Sequence, residues 1–476
     1  MAALILPLLF VAMLALAFVQ PRTALLTALF FVSWSGLEVD VGLRVTGYQL
    51  VMAPLCLGVL LRTLHSAAPL PAVALGLPFV AMLLYAIVNS TFQIGFLPET
   101  AIASGALRGP TVRAIIQIFL HVFSLAPLLM VPLLMKGPAD ATTMLRVWLT
   151  ALVVLALISW VQIIIWYGTG TNPLPTGAVN RLLGGSVDMI REGRFDFEGF
   201  GIYRMNSLAN EPRNLGTALA LGLVGLQAWA LAVRDLPGRK MAALWLFLFV
   251  SAAATFSTSF AAVWLIGTVA LFPAFWITRT PIARSTASIL GTLAALLVPL
   301  LLAIAGAEAA GVPVLDLLAE RTIDRLEDIG PVEDFDLAIS GWLAANPDRL
   351  WFGGGIGNAH LYAMPYLDPE HAAYAEGQVF LAKTLLLRLL SEQGIIGLLL
   401  LLLFVLSTVL HAAPARHLRA QAVLAPLALA LLAMNMASAQ LVIELWFLVG
   451  TLVLVARPYI NPTPQRPPQQ RPLAPA

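Results

Sequence analysis

The chain has 476 residues, 60% of them hydrophobic and 11% charged, against about 25% charged in an ordinary globular protein. This excludes a soluble main body, and the apolar runs lack the ~10-residue alternation of an outer-membrane barrel, so the spans must be helices that satisfy their own backbone polar groups. A formal net charge of +2 with basic residues scattered over short loops excludes a nucleic-acid patch, and the single cysteine, Cys56, excludes an intramolecular disulfide.

Taken in order, residues 1–20 are apolar without Lys or Arg and read as a retained first span rather than a removed signal peptide. A span needs about 20 mostly apolar residues. That criterion predicts helices near 4–20, 24–37, 47–62, 71–91, 112–135, 144–167, 214–233, 241–257, 259–278, 286–306, 381–410, 421–437 and 440–456. The second is short and half crosses on one reading, which leaves the side of the N-terminus open and the total at 12 or 13 spans. The expected fold class is therefore all-α and polytopic, with short helices in its two long outer loops. Its parts are N-terminal membrane helices (1–167), a first outer loop (168–213), central membrane helices (214–306), a second, acidic outer loop (307–380), C-terminal membrane helices (381–457) and a Pro- and Gln-rich tail (458–476) expected to be disordered.

Cytoplasmic loops collect Lys and Arg. Arg62, Lys136, Arg234, Arg239, Lys240, Arg279, Arg284, Arg416, Arg419 and the tail arginines share one side, which predicts a cytoplasmic C-terminus and places the two long loops outside.

In the first outer loop Arg181, Arg191, Arg194, Arg204 and Arg213 alternate with Asp188, Glu192, Asp196, Glu198 and Glu211. Arginine binds phosphate bidentately and stays charged, so arginines at a membrane face suit a lipid-linked diphosphate; the plain alternative is mutual pairing on a solvated loop. Glu211 precedes Pro212 at the predicted start of a helix and is either a base or a helix cap. The second loop holds Asp324-Arg325 and then Asn346-Pro-Asp-Arg349-Leu-Trp-Phe-Gly353-Gly-Gly-Ile-Gly357-Asn358-Ala-His360. Its glycines permit close ligand approach, which makes Gly355, Gly357 and Asn358 candidates for a glycan-binding loop, but the Lys-Ser/Thr of a nucleotide P-loop is absent. His360 is either an acid or base near neutral pH or a solvated loop histidine. Asn89, Gln117, His121, Gln162, Asn435, Gln440 and Glu444 fall within spans and read as lining helix contacts. Ser257-Thr258-Ser259 marks a tight outer turn, and no His, Cys, Asp and Glu cluster has metal-ligand spacing.

The ordered set of Arg204, Glu211-Pro212, Thr255-Phe-Ser257-Thr-Ser259, Asp324-Arg325, Asn346-Pro347, Gly353-Gly-Gly-Ile-Gly357 and Leu390-Ser-Glu392-Gln-Gly394-Ile-Ile-Gly397 resembles the O-antigen ligase and O-antigen polymerase superfamily of bacterial envelope proteins. The resemblance covers roughly residues 200–456, and the first 200 match in hydropathy alone. It implies a GT-C-like fold and an inverting, metal-independent glycosyltransferase of the inner membrane that needs no cofactor. Its substrate would be an undecaprenyl-diphosphate-linked oligosaccharide, with membrane lipids and a chain-length regulator as partners and no nucleic acid. Carried onto this chain, diphosphate contact falls on Arg204, with Arg213, Arg191 and Arg325 as weaker candidates. Catalysis falls on Glu211 with Arg204, and His360 is the second choice of base. Ligases carry a His-Asn pair where this chain has Lys383-Thr384, and Ser-Arg where it has Ser259-Phe260. The implied activity is polymerisation of O-antigen or exopolysaccharide repeat units rather than ligation to lipid A core, with a polysaccharide or lipid transporter as the reading from another class.

Overall fold

The computed structural model describes residues 2–34, 36, 38–40, 44–66, 76–97, 110–171, 194–197, 200–209, 211–233, 238–282, 331–371, 382–412, 419–438 and 443–460, with short pieces at 305–306, 308–309 and 316. Helices dominate: α1 (Ala2–Val19), α2 (Pro21–Phe31), α3 (Gly47–Ser66), α4 (Gly76–Ile94), α5 (Pro110–Ser124), α6 (Ala126–Leu134), α7 (Pro138–Thr169), α8 (Pro212–Ala232), α9 (Gly238–Ala253), α10 (Thr258–Ile277), α11 (Pro331–Ala345), α12 (Pro347–Phe352), α13 (Ala359–Ala363), α14 (Leu385–Ala412), α15 (Arg419–Ser438) and α16 (Ile443–Ile460). Among the described residues eight helical stretches are long and apolar enough to cross a membrane, carried by α3, α4, α5 with α6, α7, α8, α10, α14 and α15, and α1 and α16 contribute shorter apolar runs. The chain is a multi-pass helical membrane protein. The expected span at 286–306 and the tail fall outside the described residues, apart from 305–306 and the end of α16.

Two local departures from the expected elements have simple causes. The span expected at 112–135 breaks at Leu125, where Pro127 follows and opens α6, because proline tolerates the first turn of a helix but not its interior. Two antiparallel hairpins interrupt the all-helical plan, Glu38–Asp40 with Arg44–Thr46 (β1, β2) and Arg194–Phe197 with Phe200–Tyr203 (β3, β4). In the second, alternating apolar residues in Arg-Phe-Asp-Phe and Phe-Gly-Ile-Tyr match the period of two of a strand rather than the 3.6 of a helix. The described part of the first outer loop is thus a hairpin instead of short helices.

Specific contacts sort the helix ends into two sets. At one end, Arg62 donates to the carbonyls of Phe18 and Val19, and Arg22 pairs with Asp140, which also accepts from the Lys136 amide at 2.7 Å. At the other end, the Gly36 amide bonds the Leu208 carbonyl at 2.9 Å, Ser33 donates to Glu444 at 2.8 Å, and the Met205 amide meets Ala254. Helix α2, only 11 residues long, starts at the first end, and the chain beyond it reaches the second. Helices α1 and α3 therefore run parallel, and the start of α1 lies at the end that carries every described candidate site residue.

That second end is closed by a cap of α11, α12, α13 and a 3-10 turn (Met364–Tyr366). The cap has its own small core of Phe335, Ile339, Trp342, Leu343 and Ala363, separate from the large core of the membrane helices. It docks on α14, which is broken at Gly394 (φ 68°, ψ −171°).

Candidate functional site

Described candidates fall into two groups. The first surrounds the start of α8. The Arg204 Nε donates to the Thr255 carbonyl at 3.0 Å and the Met205 amide to Ala254 at 3.2 Å, which fastens residues 204–205 to the turn between α9 and α10. Gly216 presses on the same turn, where a Cβ would lie 2.9 Å from Thr255 Oγ1 and 3.1 Å from Phe260 Cβ. Backbone strain concentrates here, since Ser207 (φ 52°) and Phe256 (φ 45°) occupy the left-handed region, a cost on the order of 1–3 kcal/mol each that the surrounding bonds must hold. Glu211 takes the N-cap position of α8 with extended backbone, and its side chain makes no capping hydrogen bond. Instead its carboxylate faces Arg213 Nε at 3.6 Å, with the two side chains 26% and 43% exposed. A pair so open to water contributes about 1 kcal/mol or less to stability. Arg191 and Arg325 lie outside the described residues.

The second group is built on the glycine loop. The broken α14 leaves carbonyls without helical partners, and the loop supplies the missing donors: Gly354 N to Ser391 O and Gly355 N to Glu392 O, both 2.8 Å. Gly353 and Gly394 both have positive φ, and a Cβ on either would overlap the other segment's backbone, Glu392 and Gln393 in the first case and Trp351 in the second. Only glycine meets both demands. From the membrane side, α4 clasps the same loop through Asn89 Nδ2 to Phe352 O (2.6 Å) and Ser90 Oγ accepting from Ile356 N (3.1 Å), and it holds the α14 break through Tyr85 OH to Gln393 O (2.8 Å). Asn358 is buried and donates to Gly354 O at 3.2 Å. Gly355 backs onto Gln93, and Gly357 onto Gln117 of α5. Asn89, Gln117 and their neighbours thus hold the loop rather than pairing helices, as the sequence had suggested.

His360 is not a solvated loop residue, because it is only 3% exposed. Arg113 of α5 donates to its Nε2. A guanidinium is always a donor, so Nε2 is an acceptor and the neutral ring carries its proton on Nδ1. Burial first, and the Arg113 charge second, push the His360 pKa down to about 3; the Gly357 backbone lies close enough to oppose this, but Nδ1 is buried without a partner in hydrogen-bonding geometry.

Three arginines that the sequence reading left without a role complete this group. Besides Arg113, Arg349 of α12 donates to Gln93 Oε1 and lies 5.3 Å over the Tyr362 ring, which itself stacks on Trp342 at 5.1 Å. Burial raises the Tyr362 pKa, opposed by Arg349. Arg388 of α14 pairs with the buried Glu392 at 3.2 Å, beside a cleft lined by His121, Gln393, Leu125, Leu389 and Trp446. The available signal was an arginine inside an apolar run, as in Pro110–Ser124, which is costly unless used. What the sequence lacked was their common destination.

Fold and site together define a multi-pass helical membrane protein with a polar cap docked at one end and arginines at its seam. No protein-family model matches the chain, and no curated protein matches it at a significant level.

Proposed function

We propose that the chain is a lipid-linked oligosaccharide polymerase: an inverting, metal-independent glycosyltransferase with a GT-C-like fold, acting on undecaprenyl-diphosphate-linked repeat units at the periplasmic face of a bacterial inner membrane. The observation that carries this reading is Glu211. It stands where a capping residue belongs, yet its carboxylate caps nothing and stays partly open beside Arg213, which is what a base that must meet an incoming hydroxyl requires.

In the proposed step the acceptor hydroxyl oxygen attacks the anomeric carbon of the donor sugar and passes its proton to Glu211. The bond from that carbon to the diphosphate oxygen breaks, and the lipid diphosphate leaves with the electron pair. Arg204 and Arg213 stabilise its charge, and Gly355, Gly357 and Asn358 border the glycan path. A single well-placed donor of this kind contributes roughly 3 to 4 kcal/mol. His360 has its Nε2 lone pair engaged by Arg113, so Glu211 takes the base role.

The position of the α14 break favours this over a transporter. Residues 395–412, after the break, extend roughly 27 Å at 1.5 Å per residue, close to the ~30 Å hydrocarbon core, so the break lies at the membrane surface rather than at the midplane where transporter sites form. The test is transfer by the purified protein from defined undecaprenyl-diphosphate oligosaccharides. Longer lipid-linked products support the polymerase, transfer only onto lipid A core makes the chain a ligase, and no transfer to either acceptor refutes both.

A further inference from the structure

Two large aromatic side chains of the cap face outward. The cap has its own core of Phe335, Ile339, Trp342, Leu343 and Ala363, and the glycine loop from Gly353 to His360 is buried throughout. Trp351 and Phe352, the last two residues of α12, are nevertheless 53% and 48% exposed. They are not on a loose segment. The Phe352 carbonyl accepts from Asn89, the Trp351 backbone packs on Gly394, and the Arg349 carbonyl accepts from the Gly353 amide. Helix α12 is thus polar at its start, where Asp348 is exposed, and aromatic at its end.

Two membrane helices give the depth of that end. Helix α4, with 19 residues, extends about 28 Å at 1.5 Å per residue, which matches the ~30 Å hydrocarbon core. Its Asn89, bonded to the Phe352 carbonyl, lies about 7.5 Å before the end of the span at Ile94. On α14 the break at Gly394 lies at the membrane surface, and the Trp351 backbone packs against it. Both helices set the end of α12 between the surface and about 7.5 Å inside it. Interfacial helices bury their apolar face to a depth of about 5–10 Å.

The neighbouring surface is apolar as well. On α4, Val80, Leu84, Val88 and Phe92 are exposed at intervals of four residues, and Phe96 continues the stripe just past the helix end. The Tyr362 hydroxyl donates to the Phe96 carbonyl at 3.2 Å, so the stripe ends on the cap. We infer that α12 is an interfacial anchor, whose Trp351 and Phe352 enter the lipid leaflet at the cap end and make the bilayer surface a partner of the cap. The stripe on α4 belongs to a span and faces lipid; α12 continues that contact from the span onto the cap. Tryptophan suits the position, because its ring is apolar while its indole N–H can stay at the wet head-group level. The Gly353–Gly357 loop, which follows Phe352 directly, is thereby held at a fixed depth.

Cys56 is the only cysteine, so Cys56→Ser gives a background in which single cysteines carry a nitroxide label. The full-length protein is reconstituted in phosphatidylcholine vesicles, and collision of the label with oxygen, which concentrates in lipid, is compared with collision with a water-soluble nickel chelate. Val88→Cys supplies the lipid reference, and Ser340→Cys, at an exposed position of α11, supplies the water reference. Labels on Trp351→Cys and Phe352→Cys are expected to favour oxygen over nickel several-fold more than the label at position 340. A nickel-dominated signal at both positions, which would leave the pair facing water, or low collision with both reagents, which would place them against protein, overturns the inference. Unlabelled protein gives a second measurement. Vesicle lipids brominated near the top of the acyl chains should quench the tryptophan emission of wild type more than that of Trp351→Phe, and equal quenching overturns the anchor. Neither measurement involves turnover, so the outcome is independent of the polymerase reading.

Discussion

The α8 mouth and the glycine loop both present arginine at the same end of the molecule, but they treat its charge in opposite ways. At the mouth, Arg213 faces Glu211 across 3.6 Å of partly wet space. At the loop, Arg113 and Arg349 are bonded to an imidazole and an amide. Water screens the first pair and lets its members separate at little cost. The second arrangement fixes position, and no carboxylate among the described residues pairs with either charge. The difference shows that an arginine's use depends less on how many acidic residues are nearby in sequence than on which acceptor the fold delivers to it.

The comparison can be broken most severely at the seam that holds the loop. Gly394→Ala places a Cβ against the Trp351 backbone at a position with φ 68° and is expected to destabilise the protein by more than about 3 kcal/mol, read as a lowered melting temperature and faster proteolysis within 331–371. Next in size, Glu211→Gln should lower polymer formation by about 100-fold or more at normal protein level, measured by chain-length profiling; unchanged polymer would remove Glu211 from catalysis. At the loop, His360→Phe should cost about 1–3 kcal/mol by leaving the Arg113 donor without its acceptor, and His360→Gln should restore most of it in the same melting assay.

A pH titration sharpens the contrast. The folded His360 has a pKa near 3, against about 6.5 in the unfolded chain, so between these values the unfolded state binds the extra proton. Its stabilising contribution is complete above pH ~6.5 and is lost progressively as pH falls toward 3. Wild type should therefore lose melting temperature more steeply than His360→Gln over that window, and parallel curves would show the ring to be accessible and protonated. The smallest effect is expected far from both regions: Arg22→Gln removes a pair in which Arg22 is half exposed, and should cost about 1 kcal/mol or less with polymer formation unchanged.

Much of this was legible in residue order. Glu211-Pro212 marked the start of α8, the Thr255–Ser259 stretch marked the turn before α10, and the second helix was short enough to leave its crossing open. The sequence reading of Asn89 and Gln117 as helix-contact residues missed their use in clasping a distant loop, because hydropathy places a polar residue within a span without saying what reaches it. It also ran Leu390–Gly397 unbroken through the span expected at 381–410, where the structure has a helix broken at Gly394 to bond the glycine loop.

By itself, then, the sequence determined the membrane class and most of the long apolar helices, since these follow from local apolarity and helix signals read along one short window at a time. Only the tertiary structure decided that Arg113 meets His360, that Arg349 meets Gln93, and that Gly353 nests against Glu392 beside Gly394. Those partners are separated by tens to hundreds of residues, and which neutral or charged acceptor a guanidinium finds is set by how the helices pack.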